Sequence, residues 1–325
     1  MTIQLNESDS GNPGPLLPAF LVGAHRSGTT LLRLMLDHHP EISVPGEFDF
    51  LTEIMTDREA RPAVSEYLQQ LSLHRGFVAR ALDCDLQDSY ESLVKSFVMQ
   101  LWTRHPGKVF IAVVHTGFQE LARIWPESKF IHIMRDPRDV AASAVKLGWA
   151  GNVYSGVNRW ITAETAWDEL SKTVPAVNRC EIHFERMISD LPKTLQQLCS
   201  FLNVSYSEEM LNYHLNTTYG PPDPALTNQW QRKLSPTQVG LVEGVLGDLL
   251  EKSGYQRSGH PAIHPSGWER KRLLLHDRVA RLRFRLERFG VWNTLGIALA
   301  RRLRLRSIEQ RFQSRMNTIA VKHLK

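Results

Sequence analysis

The 325-residue sequence predicts an α/β fold, with three αβα layers around a central parallel sheet and a basic helical C-terminal extension. Three observations carry this reading. Short apolar runs of strand character alternate with helix-patterned segments, as a helix-covered parallel sheet requires. The first of these runs leads through a glycine-containing loop straight into a helix. Charge is also unevenly divided: from Arg270 to Lys325 there are 16 Lys/Arg against three acids, a net of +13. With +5 overall, the preceding 269 residues therefore carry −8. This excludes a uniformly basic nucleic-acid binder and leaves the tail alone suited to an anionic partner.

Residues 1–17 read as a disordered leader. MTIQLNESDSGNPGP lacks the cationic start and apolar stretch of a signal peptide. Residues 18–260 form the expected main domain. Ala19–Ala24 is its first buried strand, and Ser27–His39 a helix with an apolar face of Leu31, Leu32, Met35 and Leu36 closed by Pro40. Residues 50–105 pattern as amphipathic helices. Val109–Val114 and Phe130–Met134 are further strands, with a short helix over Phe118–Trp125 between them. The next helix opens with Asp136 as N-cap, Pro137 at the first helical position and Asp139 in the first turn. Cys180–Phe184 is the fourth strand, and helices follow to Leu202 and over Ser235–Lys252. PAIHPSG, Pro261 to Gly267, separates this domain from the extension at 268–325. Ligands on such a sheet gather at the carboxyl ends of the strands.

The three cysteines, Cys84, Cys180 and Cys199, have neither disulfide-framework nor zinc-site spacing, and are expected as buried thiols in a reducing compartment. The longest apolar run, Phe289–Ala300, is short of the roughly 20 residues a membrane helix needs. A cytoplasmic protein is expected, with a tail able to touch a membrane or a second subunit.

LVGAHRSGTTLL, residues 21–32, spaces Gly23 and Gly28 as a phosphate loop does, yet Thr29 stands where a nucleotide-binding loop has its lysine. Backbone N–H groups at a helix N-terminus bind anions, and Gly28 permits close approach. Arg26, Ser27, Thr29 and Thr30 add a fixed cation and hydroxyl groups. Downstream, Arg135 ends a strand and Ser143 follows eight residues later, a candidate clamp for a second phosphate.

HRSGTTLL together with RDPRDVAAS resembles the sulfotransferase superfamily, whose donor is 3′-phosphoadenosine-5′-phosphosulfate (PAPS). The resemblance spans roughly residues 18–258 and implies a P-loop-like fold. It implies that Arg26, Ser27, Gly28, Thr29 and Thr30 hold the phosphosulfate and that Arg135 and Ser143 hold the 3′-phosphate. HFERM is similar to the family's Y-E-D-L segment and puts Phe184 beside adenine. NQWQRKLSP is similar to a tyrosylprotein sulfotransferase stretch, K-W-x-x-K-[IL]-P, and puts Lys233 at the donor. Gln229 replaces the first lysine of that stretch, a contact that Arg232 could supply.

In-line sulfuryl transfer needs charge stabilisation, assigned to Arg26, and a general base for the acceptor hydroxyl or amine. A sulfuryl group carries less charge than a phosphoryl group, so no metal is expected. Glu47, 21 residues after Arg26, matches the offset of the base in tyrosylprotein sulfotransferases. His115 lies near the base histidine of cytosolic sulfotransferases, although Val113 replaces the lysine of their K-T-H segment. Glu47 is the first choice as base, with His115 orienting the acceptor or sulfuryl group; the reverse assignment stays open. His38 and His39 are expected to finish the first helix.

The expected acceptor bears a hydroxyl on a carbohydrate, a tyrosine or phenol, or a lipid, and adenosine 3′,5′-bisphosphate is the expected product. Two alternatives remain from the sequence: a P-loop kinase-like nucleotide enzyme, which should have the loop lysine, and a catalytically silent scaffold on the same fold.

Overall fold

In the computed structural model, residues 17–53, 63–84, 89–105 and 108–322 are described. The expected leader therefore lies outside the described residues except for Leu17. Five strands form one sheet: β1 (Ala19–Val22), β2 (Ile42–Ser43), β3 (Val109–Val114), β4 (Phe130–Met134) and β5 (Arg179–His183). Their order is β2-β3-β1-β4-β5 and every pair is parallel. β1 sits at the centre, so the loop that follows it emerges in the middle of the carboxyl edge.

The apolar strands are continuous because both faces are covered. Phe20, Val22, Phe110, Ala112, Val114 and Phe130 point into one core; Leu21, Ile111, Val113, Ile131, Ile133 and Ile182 point into the other. Helix α1 (Thr29–Asp37) supplies Leu32, Met35 and Leu36 to the second core. Beyond it come α2 (Val64–Leu71), α3 (Arg75–Val78), α4 (Tyr90–Trp102) and α5 (Phe118–Ile124). They pack on the first core with α6 (Pro137–Lys146), α7 (Val153–Gly156) and α8 (Asn158–Ser171). After β5, α9 (Phe184–Ser189) and α10 (Leu191–Leu202) close the second face. The short α11 (Trp230–Lys233) precedes α12 (Pro236–Leu246) and α13 (Leu249–Lys252). Finally α14 (Gly267–Arg302) and α15 (Arg306–Lys322) pack on one another as the basic extension.

The differences from expectation have local causes. The first strand ends at Val22 because Gly23 leaves the sheet with φ 155°, where a Cβ would lie 2.3 Å from the Ile133 carbonyl oxygen. The helix begins at Thr29, since Gly28 at φ 98° is its N-cap. The helical stretch expected over Ser235–Lys252 is divided into α12 and α13 at Gly247, φ 54°. β2 is two residues long, below what hydrophobic patterning can register. Cys180 and Cys199 are buried, but Cys84 is exposed in the segment between α3 and α4, correcting the expectation of three buried thiols. Among the described residues no helix is long and apolar enough to cross a membrane.

Candidate active site

The loops after β1, β3 and β4, together with the start of α9, meet at the carboxyl edge. There a cavity of about 600 Å³ is lined by Arg26, Gly28, Thr29, Thr30, Arg135 and Phe184 and closed by the 218–226 segment. That volume suits a nucleotide-sized ligand. Arg26 adopts φ 76°, a left-handed conformation that a non-glycine residue holds at a cost. Its Nε donates to the Ser143 hydroxyl at 3.0 Å. Gly28 has no substitute: a Cβ would fall 2.3 Å from the Phe184 ring. Phe184, buried, thus packs directly against the loop, and the Arg135 guanidinium lies 4.6 Å over the same ring.

Arg135 knits the site together. It donates to the Arg26 carbonyl (3.3 Å), the Asp139 carboxylate (3.1 Å) and the Leu226 carbonyl (2.6 Å). Its buried Nε has no partner among the described residues. Asp139 in turn accepts from the Trp230 N–H at 2.6 Å, fixing the segment that ends the cavity wall. Behind it, buried Arg138 spans Asp136 (2.7 Å) and Glu243 (2.8 Å) and stacks 3.8 Å over Trp230. Asp136 is the N-cap of α6 with Pro137 next to it, as the sequence predicts.

Beside Thr29 lies a buried chain of polar groups. Thr29 Oγ1 is 3.1 Å from His115 Nε2, and His115 Nδ1 is 3.0 Å from Asp49 Oδ2. The Asp49 carboxylate also accepts from the His115 backbone N–H at 2.7 Å. With Nδ1–H given to Asp49, Nε2 carries a lone pair facing Thr29. Burial opposes charge on His115, but the charge and hydrogen bond of Asp49 outweigh it and raise the imidazole above its ordinary range. Burial likewise opposes ionisation of Asp49; contact with His115 wins and holds its carboxyl below the usual range. The His25 ring stacks on His115 at 3.9 Å. Burial first, then the neighbouring His115, pushes His25 down to about 3, against the pull of Asp49. His25, Asp49 and His115 present ligand atoms within 4.8 Å of one another, a set able to hold a metal ion.

His115 also lines a second cavity, of about 320 Å³, with Thr52, Glu53, Thr116, Thr162 and Glu169. The Thr29–His115 contact therefore stands between the two cavities. Glu53 on this wall is held by His74 at 3.2 Å, and that hydrogen bond lowers its carboxyl.

The sequence-derived residues distribute as follows. Arg26, Gly28, Thr29, Thr30, Arg135 and Phe184 share the larger cavity. Ser27 is buried under the loop. Ser143 meets Arg26, not Arg135, so the two members of the expected phosphate clamp connect through Arg26. Glu47 is exposed, paired by backbone with Val113, and lines neither cavity. Lys233 is exposed, bonds to Gln229 at the N-cap of its helix, and lines neither cavity. Arg232 reaches the Ala225 carbonyl instead of the cavity. His38 and His39 do finish α1: His38 bonds to the Leu34 carbonyl, and His39 reaches the Ser205 carbonyl.

Sequence reading missed Asp49 and His25. An Asp set between Phe48 and Phe50, two residues past Glu47, was a hint at the first, but its burial and its partner exist only in the fold. His25 carried none beyond preceding Arg26.

A model of the sulfotransferase family matches residues 18–208. Protein-tyrosine sulfotransferase 1 of Danio rerio is 23% identical over 293 residues, covering 81% of this chain and 78% of its own. A protein-tyrosine sulfotransferase assignment from Caenorhabditis briggsae is 25% identical over 209 residues, 60% of this chain and 68% of its own. Among solved structures, the sulfotransferase domain from the curacin biosynthetic pathway superposes with a TM-score of 0.51 at 20% identity. That match covers 74% of this chain and 99% of the domain.

Proposed function

Since the chain belongs to the sulfotransferase family, we propose that it transfers a sulfuryl group from PAPS to an acceptor hydroxyl, with His115 as general base. The observation that carries this is the Asp49–His115–Thr29 chain at the wall between the two cavities. On this reading PAPS occupies the larger cavity. The N–H groups opening α1, the Arg26 guanidinium and the hydroxyls of Thr29 and Thr30 face its phosphosulfate, and Phe184 and Arg135 flank its nucleoside. The acceptor enters by the smaller cavity, where its hydroxyl meets His115 Nε2.

The acceptor oxygen attacks sulfur in line, forming the new S–O bond as the bond to the bridging phosphate oxygen breaks. His115 takes the acceptor proton, and Arg26 offsets the charge growing on the leaving adenosine 3′,5′-bisphosphate. Asp49 touches neither substrate. It is a positioning residue that fixes the tautomer and stabilises the imidazolium that forms. The exposed position of Glu47 favours His115 over Glu47 as base. The loop has no lysine for a nucleoside triphosphate, which disfavours the kinase reading, and a scaffold would not need an oriented Asp–His pair. The reading requires no metal.

Calorimetric titration with adenosine 3′,5′-bisphosphate, and separately with ATP and magnesium, tests the donor site. Micromolar binding of the bisphosphate, much weaker ATP, and loss of binding in Arg135→Ala are expected. Folded protein that ignores the bisphosphate would overturn the reading.

A further inference from the structure

The C-terminal extension has two opposed faces. On one, Leu273, Asp277, Ala280 and Phe284 meet the body. Asp277 accepts the Gly151 N–H at 2.7 Å, the Leu273 carbonyl accepts from Asn152 at 2.8 Å, and the Phe284 ring occupies the space a Cβ on Gly148 would need. On the opposite face Trp268, Leu275, Val279 and Leu282 recur at intervals of seven, four and three residues and are all exposed, Trp268 at 71%. At 3.6 residues per turn this is one stripe. Exposed Lys271 and Arg278 border it on one side, Arg272 and Arg283 on the other. After the kink at Gly290 the pattern repeats: Thr294, Ile297 and Ala300 are buried, while Val291, Trp292, Leu295 and Leu299 point outward, Trp292 at 87%.

We propose that α14 is an interfacial surface that docks the protein on an anionic lipid bilayer. Tryptophan and leucine on an outward face rimmed by arginine are the chemistry of a helix lying in the headgroup region. Charge decides the occupant. Helix α14 itself holds ten Lys/Arg against three acids, so a second copy of it would be repelled and an anionic surface attracted. The docked helix also holds the segment 148–152, whose Trp149 meets the His25 ring edge-on at 5.5 Å. If the sulfotransferase reading holds, the lipid surface lies on the side of the molecule that shapes the His25–His115 wall, which favours an acceptor hydroxyl carried on an amphiphile.

The test is co-sedimentation of the full chain with phosphatidylcholine vesicles, with and without about a third phosphatidylglycerol. Wild type should pellet with the anionic vesicles and be released by salt. Trp268→Ser/Trp292→Ser and Arg272→Gln/Arg278→Gln should each weaken partitioning about tenfold or more. Bisphosphate binding by calorimetry should be unchanged in both variants, since none of these side chains lines the cavities; it reports the fold and tests the donor site separately. Wild type that stays in the supernatant with anionic vesicles at low salt overturns the proposal. So do variants that still bind vesicles but turn a dimer into a monomer in sedimentation velocity, which would make the stripe a subunit interface.

Discussion

Replacing Asp49 by Asn tests the chemistry with almost no change of shape. Asp49 accepts two hydrogen bonds from His115, at its backbone N–H and at Nδ1. An amide can keep the first through its oxygen. It then offers an N–H to Nδ1, which forces the imidazole proton onto Nε2. His115 would present a donor where the acceptor hydroxyl needs a base. Loss of a positioned general base costs about 10² to 10⁴ in rate, or roughly 3 to 5 kcal/mol at 1.36 kcal/mol per decade. The assay is single-turnover transfer from radiolabelled PAPS to the best acceptor in a phenol and carbohydrate panel, across pH. In wild type the rate should fall as pH drops through the raised value of His115, because a protonated ring accepts nothing. His25, held near 3, adds no limb in the neutral range. In Asp49→Asn the rate should collapse and the acidic limb move downward, burial then acting on His115 without its counter-charge. Stability runs the other way. The raised His115 contributes fully below its unfolded value of about 6.5 and less as pH rises through its folded value; the lowered Asp49 contributes above about 3.9. His25 opposes this, because its folded value of about 3 lies below the unfolded one of about 6.5 and it costs stability as pH falls between the two; the gain from His115 in mild acid is therefore offset, while activity still rises above it. A variant within threefold of wild type at every pH, with Glu47→Gln inactive, would refute the assignment.

Three further outcomes are expected. Gly28→Ala should weaken bisphosphate binding in calorimetry by tenfold or more, because φ 98° and the contact with Phe184 impose about 1–3 kcal/mol of strain at the cavity wall; wild-type affinity would contradict this. Arg138→Ala should lower unfolding free energy in urea by about 3–5 kcal/mol, since it strands Asp136 and Glu243 in the interior; a loss below 1 kcal/mol would contradict it. Zinc should inhibit transfer reversibly by bridging His25, Asp49 and His115, and chelator should restore it; equal inhibition of His25→Ala would place the ion elsewhere.

How much of this was legible follows from what each feature depends on. β3 and β4 were readable to the residue because six apolar residues in a row, and four around a buried His132, covered on both sides, leave a strand little alternative. The α6 start was readable because its signal, Asp136 then Pro137, is local. The larger cavity was readable for the same reason: Arg26 to Thr30 are consecutive. Asp49 was not, because its role exists only once β3 brings His115 beside it, 66 residues away. Glu47 and Lys233 show the converse. Both fit a linear pattern and both side chains are exposed, outside the two cavities, though the Glu47 charge still acts on His115.

Thr29 stands at the position where a nucleotide-binding loop has its lysine. A lysine there would reach the transferring group as a point charge. Thr29 cannot, but its short side chain lets His115 come within 3.1 Å of the loop itself. The cation is instead Arg26, three residues upstream, braced by Ser143. On the proposed mechanism, charge stabilisation and proton removal are divided between Arg26 and His115. Substituting Thr29→Lys should then not restore a nucleotide triphosphatase. It would bury an ammonium against His115, oppose the imidazolium that the proposed reaction forms, and abolish sulfuryl transfer. Transfer retained in that variant would show that His115 does not act through the space beside Thr29.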